Sequence, residues 1–134
     1  MIFGFCRKIV WNVRWSPDGR TLAAGGTDGT LTVYDAATGR VGYRKRMAPV
    51  YGLDWSPDGR FLAAGAADDD IYVYEAASGR PYDTLVGHED LVTAVAWSPD
   101  GRTLASTAGG VLQNPILATA VAGPDTSVRL WSFR

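Results

Sequence analysis

The hexapeptide WSPDGR occurs three times in 134 residues, at 15–20, 55–60 and 97–102, forty and then forty-two residues apart. Self-similarity at a fixed period of this size is the signature of a repeat architecture, in which each unit buries its apolar face on the next. Set in register on the hexapeptide, residues 10–40 (VWNVRWSPDGRTLAAGGTDGTLTVYDAATGR) match residues 50–80 (VYGLDWSPDGRFLAAGAADDDIYVYEAASGR) without a gap. The third unit opens GHEDLVTAVAWSPDGRTLAS at Gly87, is interrupted, and resumes as PDTSVRLWSF.

Each unit reads as short strands joined by tight turns. Before the first turn Trp11, Val13 and Trp15 alternate with Asn12 and Arg14, the period of two that a half-buried strand requires. A second strand follows at Thr21-Leu22-Ala23-Ala24 and its copies. A third, rich in β-branched and aromatic residues, is Leu31-Thr32-Val33-Tyr34, Ile71-Tyr72-Val73-Tyr74 and Val128-Arg129-Leu130-Trp131. A fourth, more polar strand is expected around 41–45 and 82–86. In Ser-Pro-Asp-Gly the Pro fixes φ at the first central turn position, the Asp favours the second, and the Gly accepts the left-handed conformation that closes a hairpin. The hexapeptide is a structural corner, and the Trp before it offers a large face to a neighbouring unit.

These residues resemble the WD-repeat family of β-propellers over nearly the whole chain. The third unit carries the most specific likeness, with Gly87-His88 before the inner strand, Ser106 on the second strand and Asp125 six residues ahead of Trp131. The resemblance implies a buried tetrad of His88, Ser106, Asp125 and Trp131 that ties one blade together. The first two units keep Asp28 and Asp68 six residues before Tyr34 and Tyr74, but Ala24 and Ala64 replace the Ser, Tyr replaces the Trp, and neither has the His. Those blades are expected to rely on apolar packing, since a half-built polar network is worse than none.

The expected fold is all-β: about three blades of four-stranded antiparallel sheet, forming an open arc or part of a larger ring. Residues 1–9 read as the outer strand of a preceding or closing blade, 10–46 as repeat 1, 47–86 as repeat 2, and 87–134 as repeat 3 with an insertion near 109–123. The insertion reads either as a partner-binding loop, or as a disordered loop or unspliced sequence carried into the chain; the latter pair is preferred because long structureless loops are uncommon in compact domains. Three blades cannot close a ring around a packed axis, so the chain is a fragment of a larger propeller or half of an assembled one, the fragment being preferred. An open arc leaves an apolar face at each end, beyond what monomers ordinarily expose.

Composition narrows the function classes. Thirteen basic and fourteen acidic residues leave a net charge of −1, which recruits neither nucleic acid nor an anionic membrane as a whole-chain field. Cys6 is the lone cysteine, so an intrachain disulfide is impossible and a reducing, intracellular location (cytoplasmic or nuclear) is expected. No signal peptide is recognised at the N-terminus, and the longest apolar stretch, 111–122, falls short of the roughly 20 residues of a membrane helix.

His88 is the single histidine, without a second His or Cys partner, so zinc binding and acid–base catalysis are poor readings of it. Asp68-Asp69-Asp70 lacks the alternating ligand spacing of a calcium loop and reads as a hairpin turn. No phosphate loop or nucleophile elbow is present. No catalytic residue, metal or cofactor is expected. The leading expectation is a non-catalytic scaffold for protein partners, with further propeller blades or a second copy of the chain as additional partners. Candidate contacts are Trp11, Arg14, Tyr51 and Asp54. Arg14 and Asp54 hold equivalent places on adjacent inner strands, and Trp11 and Tyr51 share the parity of Trp15 and Trp55, which suits blade packing equally. The alternatives are a propeller segment of a larger enzyme or enzyme complex, and nucleic-acid contact through the basic strand from Arg40 to Arg46, with Tyr43 for stacking. An edge strand that uses charge to prevent edge pairing is the preferred reading of that cluster.

Overall fold

A computed structural model of the chain describes residues 9–109, 111–114, 119–121 and 128–133. Three antiparallel sheets stack along the sequence. Blade 1 has the order β1 (Val10–Trp15), β2 (Thr21–Gly26), β3 (Thr30–Asp35), β4 (Val41–Arg46). Blade 2 repeats it with β5 (Val50–Trp55), β6 (Phe61–Ala66), β7 (Asp70–Glu75) and β8 (Pro81–Val86). In blade 3, β9 (Val92–Trp97) and β10 (Thr103–Ala108) pair with β13 (Val128–Ser132). Between β10 and β13, β11 (Val111–Asn114) and β12 (Thr119–Val121) form a separate two-stranded antiparallel sheet within the insertion. The all-β blade architecture expected from the repeats is therefore the fold, and the inner strands β1, β5 and β9 lie against one another in that order.

The hexapeptide builds the same corner three times, and its Ser does as much as its Pro and Gly. Gly19 N–H donates to Ser16 O at 2.9 Å, and Gly19 takes φ +71°, a region open to glycine at no steric penalty. Ser16 Oγ donates to Asp18 Oδ1 at 2.7 Å while accepting from the Thr21 N–H at 3.0 Å, and Asp18 Oδ1 also accepts from Arg20 N–H at 3.0 Å. Ser56 with Asp58 and Ser98 with Asp100 repeat the pattern. These donors, the serine hydroxyl first, hold the carboxyls of Asp18, Asp58 and Asp100 below the usual carboxylate range.

One expectation about β1 and β5 is overturned. A bulge between Val10 and Asn12, repeated between Val50 and Gly52, inserts a residue opposite β2 and β6. Strict alternation breaks there, so Trp11 and Tyr51 do not share the face of Trp15 and Trp55. The residues of the inner strand that reach the core are Val50, Leu53 and Trp55, spaced three and then two apart.

Blades join through two apolar seams. At the first, Ala23, Leu31 and Val33 of blade 1 meet Val50, Leu53, Trp55 and Leu62 of blade 2. At the second, Ala63, Ile71 and Val73 meet Val92, Val95, Trp97 and Leu104. Glycine sets the approach: a Cβ on Gly25 would lie 2.7 Å from Val50 Cγ1, and one on Gly65 would lie 2.6 Å from Val92 Cγ1. The corner tryptophans of blades 2 and 3 then stitch the seams. Trp55 Nε1 donates to Arg14 O at 3.0 Å and Trp97 Nε1 to Asp54 O at 3.2 Å, each reaching the carbonyl just before the previous blade's tryptophan.

Candidate functional site

The two seams differ at one end, and the difference makes a site. At the second seam Phe61 stacks on Trp97 with centroids 6.2 Å apart and lies 4.5 Å from the ring of Tyr82, filling the space beside the corner tryptophan. By strand register, Thr21 and Gly42 hold those two places in blade 1. The first seam is therefore left open as a groove of about 780 Å³ between the corners of blades 1 and 2. Its floor is Val33, Tyr34, Tyr43 and Trp55, and its rim carries the carboxylates Asp18, Asp35 and Asp58 and one cation, Arg20.

Local structure fixes these groups. Tyr43 comes from β4, and its hydroxyl donates to Ala76 O at 2.8 Å, so the ring spans from blade 1 to blade 2. Burial, with the neighbouring Tyr74 as a smaller cause, pushes the Tyr43 hydroxyl up to about 12, so it stays protonated. Asp35 Oδ1 accepts from the N–H groups of Ala37 and Thr38 and from Thr38 Oγ1, and these bonds hold its carboxyl below the ordinary range. The rim carboxylates are thus ionised at neutral pH, each fixed by one oxygen. The floor is rigid and aromatic, the kind of surface that carries binding energy at low entropic expense.

The residues singled out by sequence lie elsewhere. In blade 3, Ser106 Oγ lies 2.7 Å from His88 Nε2 and accepts from Trp131 Nε1 at 2.9 Å, with His88 and Ser106 both buried. Asp125 lies outside the described residues. The loop that brings His88 in has five residues between β8 and β9, against three between β4 and β5, and this accounts for the forty-two residue spacing of the second and third hexapeptides. Ala24 and Ala64 occupy the register position of Ser106.

Trp11 packs edge-on against Tyr51 with centroids 5.7 Å apart, and Asn12 Nδ2 donates to Tyr51 O, at the opposite end of the inner strands from the groove. Arg14 is exposed and supplies only its carbonyl to the first seam. Asp54 works between blades: its Oδ2 accepts from the Trp97 N–H at 2.8 Å. No sequence pattern announces that bond, because it depends on the rotation of one blade against the next. The basic strand is split between two faces. Lys45 sits over the Tyr74 ring at 5.7 Å and Tyr43 is tied to Ala76, while Arg44 and Arg46 line a recess of about 330 Å³ with Asp28, Thr30 and Thr32. In the acidic run, Asp68 accepts from the Asp70 N–H and the Tyr72 hydroxyl, and Asp69 takes φ +75° in the turn where Gly29 stands in blade 1. Among the described residues no group of three or more His, Cys, Asp or Glu could hold a metal ion. No helix of the described residues is long and apolar enough to cross a membrane.

Stacked four-stranded sheets, joined at their corners by tryptophan, define a β-propeller segment. The family model of the WD domain, G-beta repeat, matches residues 3–35 and 79–132, and the chain belongs to the WD-repeat family. The model of the anaphase-promoting complex subunit 4 WD40 domain matches residues 42–100. No curated protein sequence matches the chain. Two solved structures illustrate the likeness. One, described as the crystal structure of RRP9 WD40 repeats, superposes with a TM-score of 0.74 at 22% identity, over 88% of this chain and 39% of that one. The other, described as the crystal structure of a mitotic checkpoint complex, gives 0.78 at 28% identity, over 93% and 36%. This chain spans well under half the length of either, and matches a partial propeller. The WD-repeat fold is generally a non-catalytic interaction scaffold.

Proposed function

We propose that the chain is a non-catalytic protein-interaction scaffold that takes an extended segment of a partner protein into the groove between blades 1 and 2. The observation that carries this reading is the pairwise replacement of Phe61 and Tyr82 by Thr21 and Gly42, which opens a groove lined by the half-buried Tyr34 and Tyr43 beside the buried Trp55. Three rim carboxylates against one guanidinium favour a segment with Arg or Lys beside an apolar anchor. The site has no moving part: the tryptophan stitch and the glycine seat hold the two blades at fixed spacing before the partner arrives.

The test is a peptide-library selection against the whole chain, repeated with Thr21→Phe. That change supplies the ring that closes the second seam and leaves the surface elsewhere unchanged. Enrichment of basic, apolar-anchored peptides that is lost in Thr21→Phe is expected. Peptides that bind both proteins equally would place the interaction elsewhere.

A further inference from the structure

Polar and apolar groups are unevenly distributed in the groove between blades 1 and 2, and this narrows what an extended segment laid there can be. Its walls are sheet faces and turns, so a ligand meets rings and methyl groups rather than the edge of a strand ladder. The polar atoms of two of its rings are spent inside the protein: Trp55 Nε1 donates to Arg14 O at 3.0 Å, and the Tyr43 hydroxyl donates to Ala76 O at 2.8 Å. Tyr43 is further held by Gly79, where an added Cβ would lie 2.6 Å from Cδ2 of the ring. The Tyr34 hydroxyl is left as the one ring group of the groove without a protein partner among the described residues. Pro17 and Pro57, equivalent residues of the first two corners, stand exposed along it, one on each blade.

An ordinary extended segment carries an N–H at every residue, and each one pressed against carbon loses its water without gaining a partner. Proline has no N–H to lose. A run of prolines holds the polyproline II conformation before it binds, with its carbonyls left in water, so little ordering remains to be done. Aromatic-lined grooves suit such segments. At the rim, Asp18, Asp35 and Asp58 are each bonded locally through Oδ1. An Arg suits them better than a Lys, because its five donors in a planar fork can serve more than one carboxylate. We infer that the occupant of the groove is a proline-rich segment in the polyproline II conformation, with an Arg beside the prolines that meets the acidic rim. The prolines pack on Tyr34 and Tyr43 between Pro17 and Pro57. This rests on the groove being the binding site, which Thr21→Phe tests separately by filling it.

The experiment is fluorescence anisotropy of the whole chain with two labelled peptides. One is a run of prolines followed by arginine; the other has alternating valine and alanine in place of the prolines. The proline peptide should bind about tenfold more tightly, the effect of leaving an N–H or two unpartnered in its counterpart. Thr21→Phe should abolish its binding. Asp58→Asn, an exposed change that keeps the Oδ1 bonded by Ser56 and the Arg60 N–H, should weaken it several-fold, with no change for the same peptide ending in glutamine. That comparison also reads the site if Thr21→Phe does not fold by circular dichroism. A valine-alanine peptide that binds as tightly, and is lost in Thr21→Phe, would overturn the proline inference and leave the groove standing. A proline peptide that fails to bind at millimolar concentration would overturn it as well. Proline binding that survives both Thr21→Phe and Asp58→Asn would overturn this inference and the groove together.

Discussion

Ser106→Ala removes one buried oxygen and disconnects two partners. The hydroxyl accepts from Trp131 Nε1 at 2.9 Å and lies 2.7 Å from His88 Nε2, and Ser106 is essentially inaccessible to water. A buried polar group left without its partner costs about 1–3 kcal/mol. Trp131 is only partly buried and can recover some hydration, whereas His88 cannot. The combined loss is therefore about 2–4 kcal/mol, a large share of the ~5–15 kcal/mol that stabilises a domain. With each kcal/mol worth about 4 °C at this chain length, the melting midpoint should fall by roughly 8–15 °C. Ser106→Thr keeps the hydroxyl and should stay within about 1 kcal/mol of the wild type. The assay is urea unfolding followed by tryptophan fluorescence. A Ser106→Ala variant within about 0.5 kcal/mol of the wild type would refute the network as drawn.

Other perturbations test the seams and corners. Gly65→Ala drives a methyl against Val92 Cγ1 and should destabilise by about 1–3 kcal/mol in the same unfolding assay. Asp69→Gly relieves a non-glycine residue at φ +75° and should stabilise by up to about 1 kcal/mol in thermal unfolding. Asp58, whose carboxyl is held low first by Ser56, adds stability that is complete above the ordinary value of 3.8 and lost as pH falls through its lower folded value. Ser56→Ala should move its titration, followed by carbon NMR, up toward 3.8.

Sequence made the corners legible because the turn chemistry is local: Pro, Asp and Gly act within six residues, and their spacing survives three copies. It also placed His88, Ser106 and Trp131 as one group, through the resemblance to the WD-repeat family, since the first two repeats lack all three residues. The bulge at Trp11 and Tyr51 was hidden, since one extra residue in a strand changes side-chain parity without changing composition. The bond from Trp97 N–H to Asp54, and the groove itself, needed the placement of one blade against another. A signal for the groove did exist. Thr21 against Phe61 and Gly42 against Tyr82 are both small-for-large differences between aligned repeats, but their importance depends on both falling beside the same tryptophan.

The most direct measurement is an NMR titration of the chain with a basic, apolar-anchored peptide from the selection, read at the Trp55 indole N–H and the rings of Tyr34 and Tyr43. A groove between the first two blades requires these signals to shift together and saturably, and to stay still in Thr21→Phe. Shifts confined to Trp11, Tyr51 or the recess of Arg44 and Arg46, with Trp55 unmoved, would contradict it.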